Sequence, residues 1–263
     1  MRTLKLTLAY DGTRFVGWQR QAAGESIQGL LEEALVRFEG APVTVHGAGR
    51  TDAGVHALGQ VASVQLTCTH AADALLRGLN AALPPDVRVT AVEAAAADFH
   101  ARFRARAKTY RYVIRNAAIV GPFERAYVWH VPEPLDLDAM RTAAAALVGT
   151  HDFAAFASAG SETADTVRSI SASGIRVLEA GHEGGPAPQA PTAGDGPGLL
   201  VYEVTGTGFL RHMVRAIVGT LVEIGRGWRA ASSMSTLVAG RSRADAGATA
   251  PPHGLFLVRV DYD

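Results

Sequence analysis

The chain carries at residues 47–56 the stretch Gly47-Ala48-Gly49-Arg50-Thr51-Asp52-Ala53-Gly54-Val55-His56, between two predicted strands at 43–47 and 58–66. Its three glycines permit sharp turns and a close approach of the backbone to a ligand. Loops held by a sheet often display reactive groups, so Asp52 is a candidate catalytic residue. An aspartate in a glycine-rich turn more often caps that turn, and residue type alone leaves both interpretations open.

The segments around this stretch predict the element order β-α-β-β-α-β, which is the ferredoxin-like order. Alternation of polar and apolar residues indicates a first strand, Ser26 is a candidate N-cap, and Pro84-Pro85 ends the second helix. The predicted strands lie at 3–9, 43–47, 58–66 and 87–93, and the predicted helices run from Ser26 to about Phe38 and over 71–83.

The second half has a similar element pattern, which predicts an α+β protein of two halves, residues 1–104 and 105–263. The segment 179–198 is rich in Gly, Pro and Ala and is predicted to be a flexible loop insertion. The predicted strands lie near 107–115, 126–131, 167–178, 199–206 and 255–262, and the predicted helices near 136–148, 209–224 and 230–239.

Composition excludes several classes of protein. Of 263 residues, 48% are hydrophobic and 19% charged, and the only cysteine is Cys68, so neither a disulfide framework nor a Cys-rich zinc site is expected. The nine histidines show no metal-ligand spacing, and no phosphate-binding glycine motif is present, so neither a metal nor a nucleotide cofactor is expected. Without a signal-peptide core or an apolar run of membrane length, we expect a cytoplasmic protein.

The formal net charge is zero, yet the segment from Phe99 to Phe123 contains no acidic residue. If this segment is extended, alternate side chains share one face and form a basic stripe that ends in aromatic rings. Cations suit phosphates and aromatic rings suit unpaired bases, which indicates RNA binding, while a solvated edge strand explains the stripe equally well. The residues of the stripe are His100, Arg102, Arg104, Arg106, Lys108, Tyr110 and Tyr112.

A third distinctive stretch runs from Gly208 to Arg215. If it is helical, Arg211 and Arg215 are four residues apart and share a face. An arginine beside a buried apolar surface either extends to solvent or pairs with a carboxylate, and Asp52 is a candidate partner.

Together these motifs resemble the TruA family, tRNA pseudouridine synthase A, over almost the whole chain. The motifs follow one another in the family's order, and the loop at 179–198 is the visible departure. They are Tyr10-Asp11-Gly12-Thr13, Phe15 with Gly17-Trp18-Gln19, Gly49 to Ala57, Lys108-Thr109-Tyr110-Arg111-Tyr112, Phe209 to Arg215, Ala250-Pro251-Pro252 and Gly254-Leu255.

The resemblance implies two ferredoxin-like (RRM-like) halves joined in one mixed, largely antiparallel sheet, with helices on one side and an RNA-binding cleft. It implies a homodimer that binds tRNA and converts uridines 38, 39 and 40 of the anticodon arm to pseudouridine. By the family pattern, Asp52 is the catalytic nucleophile, Arg215 its partner, Tyr110 stacks on the target base, Arg50 holds the displaced nucleotide and Leu255 lines the base pocket. Further substrate-binding residues are expected at Arg102, Arg104, Arg106, Lys108 and Arg211.

The chemistry agrees with the absence of a cofactor. Pseudouridine formation breaks the N1–C1′ bond, turns the uracil and joins C5 to C1′, without electron transfer. The uridine must first leave its stack. An aspartate serves as nucleophile at sugar or base, or as a base at C2′, and the sequence does not choose among these roles. Tyr110 is a candidate relay for the C5 proton.

Two alternative functions are compatible with parts of the pattern. A non-catalytic RNA-binding protein or chaperone would keep the basic stripe and the tyrosines but would not need Asp52. A hydrolase could combine Asp52 with His56, although no nucleophile motif or metal set accompanies them.

Overall fold

The computed structural model of the chain describes residues 1–158, 165–178 and 198–262. The predicted loop insertion lies outside these residues, apart from Gly198, which begins a strand. The protein is of the α+β class, as predicted, and it divides into two compact units. The first unit comprises residues 1–108 and 256–263, and the second comprises residues 109–255.

The first unit has the predicted order of strands and helices, and its sheet has the ferredoxin-like strand order β4-β1-β3-β2. Strand β1 pairs antiparallel with both β3 and β4, and β2 pairs antiparallel with β3. Numbered in chain order, its elements are β1 (Arg2–Tyr10), α1 (Ile27–Glu39), β2 (His46–Gly47), β3 (His56–Leu66), α2 (Ala72–Ala82) and β4 (Val87–Ala95).

The strand β10 (Leu255–Asp261) also pairs with β3, in parallel, where Phe256 and Leu257 lie beside its first two residues. Further along, the two backbones come very close, since a Cβ on Gly59 would lie 2.4 Å from the Val258 carbonyl oxygen. Glycine is therefore required at this position of β3. The sheet of the first unit thus includes a strand from the far end of the chain.

The helix α1 shows why these residues fold locally as predicted. Ser26 Oγ accepts a hydrogen bond from Gly29 N at 3.1 Å, as the predicted N-cap should, and Gly40 ends the helix with φ of 75°. The apolar stripe of α1 and alternate leucines of β1 are fully buried, and these core residues are Ile27, Leu31, Leu35, Leu4, Leu6 and Leu8.

The second unit has a sheet of order β5-β9-β8-β7, with β6 paired in parallel to β5. Its helix α4 is buried along most of its length and forms the centre of the core. The elements are β5 (Ala107–Asn116), β6 (Trp129–Val131), α3 (Leu137–Ala145), β7 (Gly149–Asp152), β8 (Val167–Leu178), β9 (Gly198–Gly206), α4 (Met213–Gly225) and α5 (Ser233–Leu237). The sequence analysis missed β7, because four residues of mixed polarity show no periodicity.

The start of α4 corrects one prediction. The helix begins at Met213 rather than at 209, and Arg211 lies in the preceding turn. His212 adopts a left-handed conformation, with φ of 63°, and this interrupts the helical path. Arg211 and Arg215 therefore do not share a helical face.

The prediction of a single extended basic stripe is also wrong. Residues 101–104 form a turn and β5 begins only at Ala107, so only Lys108, Tyr110 and Tyr112 alternate along a strand. Long-range contacts impose the turn: Ala101 N donates to Ser63 Oγ at 3.0 Å, and Tyr262 Oη donates to the Ala101 carbonyl at 2.8 Å. Sequence spacing does not reveal such contacts.

A buried ion pair connects β5 to the segment that follows it. Arg115 and Glu124 are 4% and 3% exposed, and the Arg115 Nε lies 3.0 and 3.1 Å from the two carboxylate oxygens. Glu124 also accepts from Gly121 N at 3.0 Å, so both charges are compensated as burial requires.

Among the described residues, no helix is long and apolar enough to cross a membrane.

Glu39 supplies a pH-dependent contact at the end of α1. Its carboxylate accepts hydrogen bonds from Thr67 Oγ1 and from the backbone N–H groups of Thr67 and Cys68, at 2.6 to 3.0 Å. These bonds, chiefly the one from the Thr67 hydroxyl, lower the pKa of Glu39 to about 2. Because the pKa is lower in the folded state, this contact stabilises the fold above the ordinary pKa and loses its effect as the pH falls toward 2.

We predict that Glu39→Gln lowers Tm at pH 7 and that its Tm difference from the wild type shrinks between pH 5 and 3. Thermal unfolding followed by circular dichroism at several pH values measures this. Glu33→Gln on the same helix is the control, since its carboxylate only faces Arg20 at 3.7 Å on the surface and should matter little. A Glu39→Gln difference that stays constant with pH would contradict the prediction.

Candidate functional site

The loop that carries Asp52 joins β2 to β3 and is fixed at both ends. Ala48 N donates to the Val61 carbonyl at 2.7 Å, and Val55 N donates to the Asp52 carbonyl at 3.1 Å. The second bond closes a turn in which Gly54 has φ of 76°, a conformation that favours glycine. The side chain of Asp52 is half-buried at the entrance of this turn.

The segment after β1 supports the loop from its own backbone. Trp18 N donates to the Thr51 carbonyl at 3.0 Å. A Cβ on Gly12 would lie 2.0 Å from the Val55 carbonyl oxygen, and one on Gly17 would lie 2.6 Å from that of Thr51. Both positions therefore require glycine, which explains the two glycines in the motif at residues 10–19.

A buried hydrogen-bond network lies beneath the loop. Tyr10 Oη and Thr51 Oγ1 are 2.8 Å apart, and the Gln60 amide donates to Tyr10 Oη at 3.3 Å and to the Gly49 carbonyl at 2.9 Å. Burial raises the pKa of Tyr10 to about 12, so its hydroxyl stays protonated at neutral pH. The sequence analysis did not identify Gln60, because nothing local in β3 distinguishes it.

His56 is a structural residue of the loop. It is 1% exposed, its Nδ1 accepts from Gly12 N at 3.0 Å, and its ring stacks on Phe256 with centroids 4.7 Å apart. Its Nδ1 also lies 3.1 Å from Asp11 Oδ1, so packing, the backbone and a carboxylate together hold the buried imidazole.

Arg50 extends from the loop toward α1. It is exposed, and its Nε donates to Gln19 Oε1 at 3.1 Å. Gln19 in turn donates to Gln28 Oε1 at 2.8 Å, and Gln28 donates to the Val45 carbonyl at 3.0 Å. This relay orients the Arg50 side chain while leaving the guanidinium at the surface.

Lys108 packs over the other side of the loop. Its Nζ would lie 3.4 Å from a Cβ on Gly49, which is an ordinary contact distance. Burial, and then the charge of Arg102, lower the pKa of Lys108. A partly desolvated ammonium group therefore lies beside the backbone of the Asp52 loop.

The three arginines of the predicted stripe have different surroundings. Arg102 and Arg106 are exposed, while Arg104 is exposed and paired with Asp98. These three side chains therefore stay near the surface, although not on the single face that the sequence predicted.

The other predicted site residues belong to the second unit. Tyr110 is 8% exposed in β5, and its ring makes an edge contact with Phe209 at 5.0 Å. Leu255 is 5% exposed at the start of β10. Arg211 is exposed in the turn before α4.

Arg215, on α4, is held by a segment that we call the strap, residues 247–251. Arg215 Nε donates to the Ala250 carbonyl at 2.8 Å, and Ala250 N donates to the Arg215 carbonyl at 3.0 Å. Tyr112 Oη fixes the end of the strap by donating to the Pro251 carbonyl at 2.8 Å. The strap thus orients both the backbone and the side chain of Arg215.

The backbone of the strap lies in direct contact with α4. Gly247 N donates to Thr220 Oγ1 at 3.0 Å, and Ala248 N donates to Glu223 Oε1 at 2.9 Å. A Cβ on Gly219 would lie 1.6 Å from the Ala248 carbonyl oxygen, so only glycine fits. Sequence reasoning missed this support, although the motif from Ala250 to Pro252 marks its end.

The parts of the chain that the structure describes contain no candidate set of metal ligands. No group of three His, Cys, Asp or Glu residues there is arranged to hold a metal ion.

Comparisons with known proteins agree along the chain. A family model described as tRNA pseudouridine synthase matches residues 7–104 and 143–263. The chain is 47% identical over 262 residues to the tRNA pseudouridine synthase A of Myxococcus xanthus, covering 100% of this chain and 92% of the relative. It is 46% identical over 265 residues to that of Solibacter usitatus, covering 100% of both chains, and 43% identical over 263 residues to that of Shouchella clausii, covering 100% of this chain and 94% of the relative.

We predict that Gly219→Ala destabilises the protein by about 1–3 kcal/mol, as overpacking typically does. Alanine stabilises a helix by about 1 kcal/mol relative to glycine. Its Cβ would nevertheless collide with the strap and push the strap away from α4. Urea unfolding measures the stability, and hydrogen exchange at Ala248 and Ala250 reports the strap. Gly174→Ala is the control, because a Cβ there meets nothing within 4 Å. Wild-type stability of Gly219→Ala would show that the strap yields easily.

Proposed function

Because the chain belongs to the tRNA pseudouridine synthase family, we propose that it converts uridines 38, 39 and 40 of the tRNA anticodon arm to pseudouridine. The family is one of isomerases that act on tRNA. The observation that carries the assignment of the active site is the position of Asp52. It lies on a displayed turn whose flanks are fixed by buried hydrogen bonds, within the region that matches the family.

We assign Asp52 as the catalytic carboxylate, acting as a nucleophile or as a base. The reaction requires an ionised carboxylate at neutral pH and no external electron, so one aspartate and a shaped pocket suffice. Three roles are compatible with a carboxylate: attack at C1′ of the sugar, attack on the uracil ring, or removal of the C2′ proton. Rigid support of the loop favours each of them, because the carboxylate must approach one atom of a flipped nucleotide.

Arg215 completes the proposal as the ion-pair partner of Asp52, as the resemblance implies. The reciprocal hydrogen bonds with Ala250 support this assignment, because they reduce the freedom that a long arginine side chain loses on pairing. Arg50 is proposed to hold the displaced nucleotide, since the relay through Gln19 presents its guanidinium at the surface.

Tyr110 and Leu255 are proposed to surround the target base. Both are mostly buried. The tyrosine ring offers a flat, apolar surface with a polar tip, which suits a flipped uracil. Phosphate contacts are proposed for Arg102, Arg104, Arg106, Lys108 and Arg211. The proposal also includes a homodimer that binds one tRNA with both subunits, located in the cytoplasm.

Release of tritium from tRNA labelled with [5-³H]uridine tests the function directly, because joining C5 to C1′ frees the C5 hydrogen. A non-catalytic RNA-binding protein or chaperone would bind the tRNA without releasing tritium. A hydrolase using Asp52 and His56 would likewise leave C5 untouched. Mapping the product at positions 38, 39 and 40 then tests the proposed sites.

We predict that Asp52→Asn lowers turnover by roughly 10⁴-fold or more, as loss of an essential catalytic group does. The fold and the affinity for tRNA should remain nearly unchanged, because the amide has the same shape. Tritium release, Tm and a filter-binding Kd measure the three quantities. Asp86→Asn is the matched control, since this carboxylate pairs with Arg14 on the surface of the same unit. Near-normal turnover of Asp52→Asn would refute the assignment.

We predict that Tyr110→Phe preserves tRNA binding, lowers turnover roughly 10²-fold or more by removing the proton relay, and exposes a primary isotope effect at C5. Tyr110→Ala should reduce turnover further, because base placement also fails. Tyr202→Phe is the control, since it removes only a buried hydroxyl that contacts Ser173 at 3.1 Å. Full turnover of Tyr110→Phe without an isotope effect would exclude the relay and leave stacking as the role of the ring.

A further inference from the structure

Three aromatic rings form a short row on the surface of the first unit. We call His46, His100 and Phe103 the ring row. The rings of His46 and His100 stack with centroids 4.7 Å apart, and those of His100 and Phe103 are 4.3 Å apart. The Arg102 guanidinium carbon lies 5.7 Å from the centroid of Phe103, within the range of a cation–π contact.

Phe103 at the end of the row is 75% exposed, so most of its ring faces solvent. The turn that carries it is not loose. Arg104 N donates to the His100 carbonyl at 3.0 Å, and Arg102 N donates to His100 Nδ1 at 3.1 Å. The ring is therefore presented to solvent by a fixed backbone.

The ring row lies next to the Asp52 loop within the same unit. His46 belongs to β2, the strand that leads directly into the Asp52 loop. At the other end, the charge of Arg102 acts on Lys108, whose ammonium group packs over Gly49. Row and loop are thus connected through both flanks.

We propose that the ring row and Arg102 form a stacking platform for an unpaired nucleobase of the tRNA next to the nucleotide that enters the Asp52 loop. This inference rests on the proposed function. Exposed rings interleaved with cations are the usual surface for single-stranded RNA, since every base has a π-face and every linkage a phosphate.

The charges around the platform favour RNA over a second copy of the chain. Arg102 lies beside Phe103 and, like Arg106 in the same segment, is exposed, and its charge also acts on the partly desolvated Lys108. Burial and the neighbouring His46 lower the pKa of His100, which keeps its ring neutral at pH 7 and suited to stacking. A self-association surface of this charge would bring like charges together.

A series at Phe103 tests the platform, with an unmodified tRNA transcript as the probe in filter binding at several salt concentrations. Phe103→Ala and Phe103→Leu should raise Kd roughly tenfold, whereas Phe103→Tyr should stay within about twofold, because only a ring stacks on a base. The salt dependence should be unchanged in this series, since stacking releases no counterion. Arg102→Gln should instead reduce the log–log slope by about one.

Phe123→Ala is the matched control, because Phe123 is 76% exposed in the second unit and should leave Kd unchanged. The inference is overturned if Phe103→Leu binds like the wild type, if Phe123→Ala weakens binding equally, or if Phe103→Ala alters only the assembly mass in sedimentation. Tritium release by the wild-type enzyme is measured in parallel. Its absence would refute the proposed function, whereas a normal rate with a flat Phe103 series would refute the platform alone.

Discussion

The hydrogen bond between Tyr10 Oη and Thr51 Oγ1, 2.8 Å long and buried, is the constraint on which the candidate site depends. A hydroxyl pair in the interior must be satisfied locally, because an unmade bond there costs about 1–3 kcal/mol. Gln60 completes it by donating both to Tyr10 and to the Gly49 carbonyl. The first strand, the third strand and the loop are consequently held in one register, and Asp52 has little freedom to move relative to the sheet.

The same solution recurs in the second unit, where backbone contact takes the place of side-chain packing. The strap reaches α4 only because position 219 has no Cβ, and Arg215 then exchanges two hydrogen bonds with Ala250. In the first unit, Gly12 and Gly17 admit the loop backbone in the same way. The glycines in these motifs thus make the backbone more rigid rather than more flexible. Each one allows the close approach of a carbonyl group that any side chain would exclude.

Local patterns were sufficient for much of the fold. Alternation placed β1, the Ser26 cap placed α1, and glycine density marked the Asp52 loop, because each depends on neighbouring residues. The patterns failed where distant residues decide the backbone. The turn at Ala101 is set by Ser63 and Tyr262, and no sequence window contains all three. The left-handed His212, which delays the start of α4, has no glycine or asparagine to announce it. Gln60 was overlooked for a related reason, since its partners lie on other strands.

The parallel pairing of β10 with β3 has a consequence for biosynthesis. The ribosome makes residues 1–108 first, but the sheet of this unit lacks a strand until β10 follows the whole second unit into solution. Strand β3 therefore keeps an incomplete edge beside His56 during most of translation, and such an edge invites pairing with other chains. The second unit, contiguous in sequence, can fold before that edge is closed. Completion of the Asp52 loop's support is thereby coupled to synthesis of nearly the entire chain, so that partly made chains do not present a finished site.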